Sequence, residues 1–433
     1  MFRAEELTKE LVLDFIQQHK TGVVPRLDKL DRYYQGEHDI MHRKFADIYK
    51  PNNKIVNPFP QYITDLYTGY FMGEPVSYSA VDPELETKVE EIKYILTYND
   101  EQDVNSQLAR MCSIFGKAYE ITYLDEYGDI RIVAVDPREI FQVHKYDIMG
   151  TPIAAIRYIL MDDTYIVEVY TSTQILTYHA TSQLTELTLV EEISHQFDDI
   201  PVIEYLNNDY EMGDFESVLS LIDAYNIFAS DTVNDFEYFA DAYLGIYGAT
   251  MENDEISTMK QERVMFFPEG ASAEWLIKNT NDAAAENMKA RTETDIHKFA
   301  KVPNANDDSF AGNTSGVAMR YKLLGTENVA ATKERKFKRG LQRRLELIIN
   351  FLNFKSTFGL DWRGIQMQFT RNLPIDEGVI AEFIVKLRGL LSDETLIGML
   401  PSVEDAAAEI ERREAQKTQV VVGEGLEEEE NTQ

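Results

Sequence analysis

The architecture of this chain follows most directly from ESVLSLIDAYNIFASDTVNDFEYFADAYL, residues 216–244. Apolar side chains recur in it every three or four residues and form a nearly continuous stripe: Val218, Leu221, Ile222, Tyr225, Phe228, Val233, Phe236, Phe239 and Tyr243. Acidic side chains lie on the other faces, at Asp223, Asp231, Asp235 and Asp241. The period is that of an amphipathic helix, which at about 1.5 Å per residue would be ~40 Å long. We expect its stripe to pack against other helices.

The region before this helix is rich in strand signals. Between residues 119 and 206, short β-branched and aromatic runs such as YEITYL, IRIVAV and TYIVEVY alternate with turn residues, which predicts an antiparallel sheet. Residues 1–50 have helical spacing that is interrupted around Gly22. Two more helices are predicted, one ending near Gly73 and one at about 101–115.

The region after this helix alternates small elements with long ones. Residues 244–250 and 263–267 and the sequence AEWLIK (273–278) have strand patterns, with a helical pattern, ENDEISTMKQE, between the first two. A second helix is predicted at about 282–300. A third helix, of about 35–40 residues, is predicted from roughly 317 to 354.

Between the second and third helices lies VPNANDDSFAGNTSG, residues 302–316. It has no periodicity and consists mainly of Asn, Asp, Ser and Gly. Structureless connections of this length are uncommon in compact domains and are usually functional or disordered. The order of long helix, small insert, long helix, polar loop and long helix does not resemble a closed enzyme domain.

The C-terminal part is predicted to be helical up to an acidic tail. WRGIQMQFTR (362–371) has the pattern of one more strand, and three helical segments follow Pro374. Ser392 and Ser402 are the expected N-caps of the second and third of these segments. The last residues, GEGLEEEENTQ (423–433), are acidic and of low complexity, which is typical of a disordered tail.

The net charge is strongly negative. The 433 residues include 42 Lys and Arg against 75 Asp and Glu, a balance of −33. Tight DNA binding without sequence preference rests on basic domains that displace counterions from phosphates, so we do not expect a general DNA binder. Two interpretations remain. An acidic lining would let DNA pass through a conduit without being held, or the charge only keeps the protein soluble.

Signatures of catalysis and of export are weak. The sequence has no GxxxxGK[ST], GxGxxG or HExxH motif, and its many carboxylates make chance pairs such as Asp162-Asp163 inevitable. No segment approaches the ~20 apolar residues of a membrane span. The N-terminal MFRAEELTKELVLDF lacks a signal-peptide core, so export is not expected. A chain with a single cysteine fits a reducing compartment such as a bacterial cytoplasm.

Two residue types that often carry chemistry have structural interpretations here. His38 and His42 are four residues apart, as metal ligands can be, but Gly36 argues against a regular helix there. We therefore expect His38 to be hydrogen-bonded in a turn. Cys112 is the single cysteine, which excludes internal disulfides, and its apolar helix LARMCSIFG predicts a buried side chain rather than a nucleophile.

One segment is basic. KERKFKRGLQRR, residues 333–344, holds seven basic residues and one Glu. On a helix, Phe337, Leu341 and Leu345 would form the buried stripe and the Lys and Arg side chains would flank it. Such a patch would pair with a neighbour's acidic surface or contact phosphates. Its candidate residues are Lys333, Arg335, Lys336, Lys338 and Arg339.

Six segments, in this order along the chain, resemble the portal proteins of siphophage-type bacteriophages. They are YYQGEHDI (33–40), NKIVNPFPQYITDLYTGYFMGEPVSY (53–78), GKAYEITYLDEYGDIRIVAVDPREIF (116–141), GDFESVLSLIDAYNIFASDTVNDFEYFADAYL (213–244), SFAGNTSGVAMRYKLLGTENVAATKERKF (309–337) and LSDETLIGMLPSVEDAAAEIERRE (391–414). None of them is a catalytic motif. The resemblance lies in their number and their order.

The resemblance implies an α+β portal fold with long stem and wing helices, an antiparallel β part of the wing, a small α/β clip and a helical crown. Its regions would be the wing (1–216 and 317–375), stem helices (217–244 and 281–301), clip (245–280), tunnel loop (302–316), crown (376–413) and acidic disordered tail (414–433). These bounds agree with the order of elements read from periodicity.

The resemblance also implies a non-enzymatic, twelve-fold ring at one capsid vertex of the virion, assembled in the bacterial cytoplasm, with no cofactor, metal or membrane. The tunnel-loop residues that would surround double-stranded DNA are Lys301, Asn304, Asn306, Ser309, Asn313 and Ser315. The clip residues that would dock the terminase large subunit and a head-completion adaptor are Met259, Phe266 and Trp275. Major capsid and scaffolding proteins would be further partners.

Two other interpretations remain open at this point. One is a virion structural or scaffold protein that never contacts DNA. The other is a metal-dependent nuclease, which would use some of the many carboxylates as metal ligands.

Overall fold

The computed structural model describes residues 2–46, 50–240, 243–248, 269–276, 282–304 and 321–372, together with residues 382, 384–398, 400, 403, 406, 409–410 and 412–414. The chain divides into two compact units, Met1–Asn372 and Leu373–Gln433. Among the described residues, no helix is both long and apolar enough to cross a membrane.

The first unit contains helices of very different lengths and several short strands. The helices of the two units are α1 (Lys9–Gln18), α2 (Val24–Tyr34), α3 (Phe59–Met72), α4 (Glu86–Tyr98), α5 (Glu101–Phe115), α6 (Leu219–Ala240), α7 (Asp282–Ala300), α8 (Leu324–Lys355) and, in the second unit, α9 (Asp393–Ile397). The strands are β1 (Phe2–Arg3), β2 (Ser77–Ala80), β3 (Lys117–Leu124), β4 (Ile130–Val135), β5 (Ile140–His144), β6 (Pro152–Met161), β7 (Thr164–Tyr170), β8 (Gln174–Thr181), β9 (Thr188–Ser194), β10 (Val202–Leu206), β11 (Tyr243–Tyr247), β12 (Ser272–Leu276) and β13 (Ile365–Gln368). The predicted α+β class is confirmed.

The β-rich region forms two sheets rather than one. One sheet has the strand order β1-β5-β6-β7-β8-β9 and the other has the order β10-β3-β4. The pairs are antiparallel, as predicted, except that the short β1 pairs in parallel with β5. Helix α1 packs on the larger sheet, where Phe15 and Ile16 join a core with Phe141 and Val167. The smaller sheet packs against α5 and α8.

Helices α6 and α7 lie side by side and share a core with α2, α3 and α5. Near the start of α6, Val218 and Ile222 are buried together with Ile296 and Ala300 of α7. Farther along, the apolar stripe is exposed, and Phe236 is 64% exposed. The expected packing against other helices is therefore found within the subunit for the first half of α6.

Helix α8 is 32 residues long and continuous through both of its glycines. A Cβ on Gly340 would lie 2.3 Å from the ring of Tyr205 on β10, whereas the nearest side-chain atom at Gly325 would be 3.6 Å away. Gly340 is thus required by the close approach of the smaller sheet. The buried stripe predicted for α8, with Phe337 and Leu341, is confirmed.

The helix α4 was not predicted from the sequence. Its buried residues Val89, Ile92 and Leu96 follow helical spacing, but charged residues separate them and the helix begins at a 3-10 turn, Pro83–Leu85. The predicted strand and helix at 252–267 lie outside the described residues.

The second unit is described only in part. Ser392 caps α9, since its side chain accepts a hydrogen bond from the Thr395 amide, and this N-cap is confirmed. Residues 384–387 and 412–414 are also helical. Ser402 and the acidic tail lie outside the described residues.

Candidate functional site

The polar segment 302–316 starts at the end of α7. The helix ends at Ala300, and Lys301 adopts a left-handed conformation (φ 58°), which turns the chain out of the helix. The Val302 side chain is buried directly after this turn. Residues 300–304, called the loop base below, are therefore anchored on the first unit.

Three hydroxyl groups from two other helices bind the loop base. From α3, Tyr67 Oη donates to the carbonyl of Ala300 (2.9 Å) and Tyr62 Oη donates to the carbonyl of Pro303 (2.7 Å). From α8, Thr326 Oγ1 donates to the carbonyl of Lys301 (2.8 Å). Carbonyls at a helix C-terminus lack intrahelical donors, so these hydroxyls satisfy them and fix the direction in which the chain leaves α7. Burial raises the pKa of Tyr67, which keeps its hydroxyl protonated as a donor.

Two of the six predicted loop residues belong to the loop base. The side chain of Lys301 is exposed, and Asn304 Nδ2 lies 3.3 Å from Oε1 of Glu293 on α7. The other predicted residues, Asn306, Ser309, Asn313 and Ser315, lie outside the described part of the chain. Their proximity to DNA stays a prediction.

The basic segment on α8 is not a uniform surface patch. Lys333 is only 5% exposed, and its Nζ lies 2.5 Å from Oδ2 of Asp214, the residue that leads into α6. The expectation that Lys333 flanks the buried stripe at the surface is therefore wrong. Its ammonium is neutralised inside the subunit, so Lys333 is not available to phosphates or to a neighbour.

Asp214 and Lys333 belong to a small buried network. Ser113 Oγ and Asn207 Nδ2 also donate to the Asp214 carboxylate, at 2.5 and 2.9 Å. The Lys333 ammonium lies 5.1 Å from the ring centroid of Tyr67. Because Tyr67 binds the loop base, one series of contacts joins the start of α6, the middle of α8 and the end of α7.

The other four residues of the predicted patch lie at or near the surface. Lys336 forms an ion pair with Asp209, and this hydrogen bond lowers the pKa of the Asp209 carboxyl. Arg335 and Arg339 are exposed and one helical turn apart, and Lys338 is half-buried between them. Arg339 and Arg335 also lower the pKa of the Asp209 carboxyl, after Lys336.

A second basic side chain of the segment is buried as well. Arg344 is fully buried and pairs with Glu101 of α5 (2.8 Å) and with Glu120 of β3. Burial alone would lower the pKa of Arg344, but the Glu120 carboxylate raises it well above its usual value, so the guanidinium stays charged. Tyr78 Oη donates to Glu101 (2.6 Å). This cluster fixes α8 against α5 and the smaller sheet.

The sequence did not identify Asp214, Tyr67 or Thr326 as partners of these sites. No local pattern could have done so, because their roles depend on helices that are distant in sequence. Each nevertheless lies in one of the six segments that resemble portal proteins: 213–244, 53–78 and 309–337.

The candidate clip residues are largely outside the described part of the chain. Trp275 lies on β12, where it is the register partner of Leu244 on β11. Met259 and Phe266 are among the residues that the structure does not describe. Their docking role stays a prediction.

The candidate metal and nucleophile sites have structural roles. His38 is buried, its Nε2 lies 3.0 Å from the carbonyl of Tyr33 and its Nδ1 lies 2.8 Å from Nδ2 of Asn226, which confirms the hydrogen-bonded turn. Cys112 is buried as predicted, and burial raises the pKa of its thiol. Among the described residues, no group of His, Cys, Asp or Glu is arranged to hold a metal ion.

A surface cavity of about 830 Å³ opens where the end of α3 and strand β2 face the start of α5. Its wall is apolar at Val76 and Leu96 and acidic at Asp100 and Asp103. Its lining residues include neither histidine nor cysteine.

The chain is similar in sequence to known portal proteins of bacteriophages. The family model described as "Phage portal protein, SPP1 Gp6-like" matches residues 13–422. A protein of Bacillus phage SPP1 named "Portal protein" is 24% identical over 430 residues, which cover 90% of this chain and 83% of that protein. A "Portal protein" of Clostridium phage phiCD119 is 22% identical over 414 residues, covering 86% of this chain and 88% of the relative.

A solved structure with some similarity is titled "Neck of native GTA particle computed with C12 symmetry". It is 11% identical, and the match covers 80% of this chain and 90% of that chain with a TM-score of 0.48.

Proposed function

Because the chain belongs to the SPP1 Gp6-like family of phage portal proteins, we propose that identical copies of it form a closed ring at one capsid vertex and that double-stranded DNA passes through the opening during packaging and ejection. Phage portal proteins are structural components of the virion. The match of the family model to residues 13–422 is the observation that carries the proposal. Identical subunits close into a ring when one surface of each binds a different surface of the next.

The assignment of regions rests on how the long helices meet. Helices α6 and α7 lie side by side. The insert between them, residues 245–280, follows the C-terminal end of α6 and precedes the N-terminal end of α7. This supports α6 and α7 as the stem and the insert as the clip. The wing would comprise 1–216 and 317–375, and the crown 376–413.

The tunnel loop would surround DNA rather than grip it. Its base is bound by Tyr62, Tyr67 and Thr326, which gives the segment a defined origin beside the stem. The segment itself contains Asp307 and Asp308, and the chain carries a net charge of −33. Like charges keep DNA from adhering to the wall, which suits a conduit through which DNA must move.

The exposed part of the basic segment would bind the next subunit. Lys333 and Arg344 are neutralised internally, and Lys336 is paired with Asp209. What remains is a small cationic surface at Arg335 and Arg339, and a neighbouring copy carries a net charge of −33. Charge complementarity of this kind fixes the register of an interface.

The partners of the ring follow from the same assignment. The clip, with Met259, Phe266 and Trp275, would dock the terminase large subunit and later a head-completion adaptor. The wing would contact the major capsid and scaffolding proteins. No catalytic step is assigned to the chain.

Electron microscopy and mass measurement of the purified full-length protein test the ring. We expect particles with a central hole and a mass that is a whole multiple of the 49.8 kDa subunit, twelve-fold in the virion. A protein that stays a compact monomer under capsid-assembly conditions would refute the proposal. Cleavage of plasmid DNA in Mg²⁺ would favour the nuclease interpretation instead.

A further inference from the structure

An extended segment runs along helix α6 and is bound to it by polar side chains. Residues 51–58, called the strap below, belong to no helix or sheet. The amide of Asn53 donates to Oδ1 of Asn234 (2.7 Å), the amide of Ile55 donates to Oγ of Ser230 (2.9 Å), and the third bond is formed by Asn57. The strap and α6 therefore run in opposite directions.

The third bond has the same form as the first. The amide of Asn57 donates to Oδ1 of Asn226 (2.8 Å), and Nδ2 of Asn57 donates to the same oxygen (3.1 Å). Nδ2 of Asn53 likewise donates to Oδ1 of Asn234 (3.0 Å). The acceptors on α6 are spaced four residues apart, and the donors on the strap are spaced two apart.

The distance between successive donors on the strap matches the distance between successive acceptors on α6 because of backbone geometry. Two residues of an extended chain span about 6.6 Å, and four residues of an α-helix span about 6.0 Å. Three bonds can therefore form in succession along the two elements. The three acceptors, Asn226, Ser230 and Asn234, are all buried, so each depends on its strap donor.

These three bonds, called the ladder below, are compatible with only one axial position of α6 relative to the strap. A slide by less than one helical turn would leave buried acceptors without donors, which buried polar groups rarely tolerate. A slide by one full turn, about 5.4 Å, would restore at most two of the three bonds. Apolar contacts alone would distinguish these axial positions of α6 less strongly. A single polar residue, by contrast, can fix the register in helical assemblies.

Further contacts hold the start of the strap and one of its acceptors. Near its start, the guanidinium of Arg43 donates to the carbonyl of Asn53 (2.9 Å) and to Asp231 of α6 (2.7 Å). Near its end, Nδ2 of Asn226 donates to Nδ1 of the buried His38 (2.8 Å). Arg43 thus binds both the strap and α6, and His38 binds α6 at the acceptor of the last strap bond.

We infer that Asn226, Ser230 and Asn234 are positioning residues that fix the height of the stem helix relative to the wing. Strand β11 follows α6 after two residues, so the axial position of α6 sets the position of the insert at its far end. In a ring, every subunit must present that insert at the same height to one docking partner. This step rests on the proposed function, whereas the ladder itself does not.

The test compares the full-length protein with the variant Asn226→Ala/Ser230→Ala/Asn234→Ala, using hydrogen–deuterium exchange, electron microscopy and DNA packaging. Alanine favours helix, so α6 should persist. In the unchanged protein we expect slow exchange at the amides of 53, 55 and 57. In the variant we expect that protection to be lost, rings to form, and packaging yield to fall.

A matched control replaces Ser220 and Asp235, which are exposed on α6, with alanine. It should keep both the slow exchange of the strap amides and the packaging yield.

If the triple variant does not fold, Ser230→Ala removes only the middle bond and should lose protection at Ile55 with a smaller loss of packaging. Fast exchange of the strap amides in the unchanged protein would overturn the ladder, and normal packaging without strap protection would overturn the positioning role. Absence of rings in the unchanged protein would refute the proposed function. The exchange data would still test whether the three strap bonds exist.

Discussion

Nζ of Lys333 on α8 lies 2.5 Å from Oδ2 of Asp214, and both side chains are more than nine-tenths buried. The pair joins the longest described helix to the residue that leads into α6. A buried charge is costly without its partner, so this contact makes the position of each element depend on the other.

Removal of one partner should therefore destabilise the protein strongly. We expect Lys333→Met to lower the free energy of unfolding by about 3–5 kcal/mol, because it leaves the Asp214 carboxylate buried without a cation. Denaturant unfolding at one fixed protein concentration measures this. Lys336→Met is the control: its partner Asp209 is 71% exposed, so we expect a much smaller change. Equal effects of the two substitutions would contradict the buried ion pair.

The two glycines of α8 should respond in opposite directions to alanine. At Gly340 a Cβ would lie 2.3 Å from the buried ring of Tyr205, so we expect Gly340→Ala to cost about 1–3 kcal/mol. At Gly325 the nearest atom is 3.6 Å away, so Gly325→Ala should be neutral or stabilising by up to about 1 kcal/mol. Thermal melting of the two variants beside the unchanged protein checks the signs. A stabilised Gly340→Ala would show that β10 is not this close to α8.

Acid should destabilise the fold through His19. Burial, and secondarily Lys117, lowers the pKa of His19 from 6.5 to about 4. Between these two values the unfolded chain binds a proton at His19 that the folded chain does not. The contribution of neutral His19 to the free energy of unfolding is therefore fully present above pH 6.5 and is lost as the pH falls towards 4. A shift of this size corresponds to at most about 3 kcal/mol by pH 4. His19→Phe should reduce the loss between pH 7 and 4.5 in denaturant unfolding, whereas the exposed His179→Gln should not.

The arginine pair on α8 should affect assembly more than DNA contact. We expect Arg335→Glu/Arg339→Glu to shift the protein from rings to smaller species, because the reversed charges would face an acidic neighbour. Size-exclusion chromatography with light scattering measures this. Lys355→Glu/Arg363→Glu, at exposed positions with the same change in charge, is the control. Intact rings with reduced packaging would assign the pair to phosphates instead.

Deletion of residues 304–313 should spare the ring and impair DNA packaging or retention. The bonds from Tyr62, Tyr67 and Thr326 go to residues 300–303 and would remain. Electron microscopy and packaging assays on the same preparation separate the two effects. Deletion of the acidic tail, 423–433, is the control and should change neither. Loss of rings in the loop variant would assign the segment to assembly.

The sequence predicted the elements whose signals are local. The helical period of α6, the helix at 101–115 and the strand runs from 119 to 206 all depend on residues within a few positions of each other, and the structure confirms these elements. The predicted helix extended too far, however, because α6 ends at Ala240 and Tyr243, which was placed on its stripe, begins β11. Such periodicity also placed Phe337 and Leu341 correctly in the core.

The buried charges could not be predicted in this way. Helical spacing placed Lys333 and Arg344 at the edges of the stripe, where basic side chains are usually solvated. Their burial depends on Asp214 and Glu120, which other elements bring to α8. The strap bonds were missed for the same reason, although Asn226, Ser230 and Asn234 recur at four-residue intervals along α6.

The buried thiol of Cys112 has a practical consequence for studies of motion. Its Sγ lies 3.4 Å from the carbonyl of Tyr205 inside the first unit, and its raised pKa keeps it in the unreactive thiol form at neutral pH. A cysteine introduced at an exposed position would thus be the reactive group for a maleimide dye or spin label. Distances between fluorophores on separate copies could then be followed without replacing any native residue.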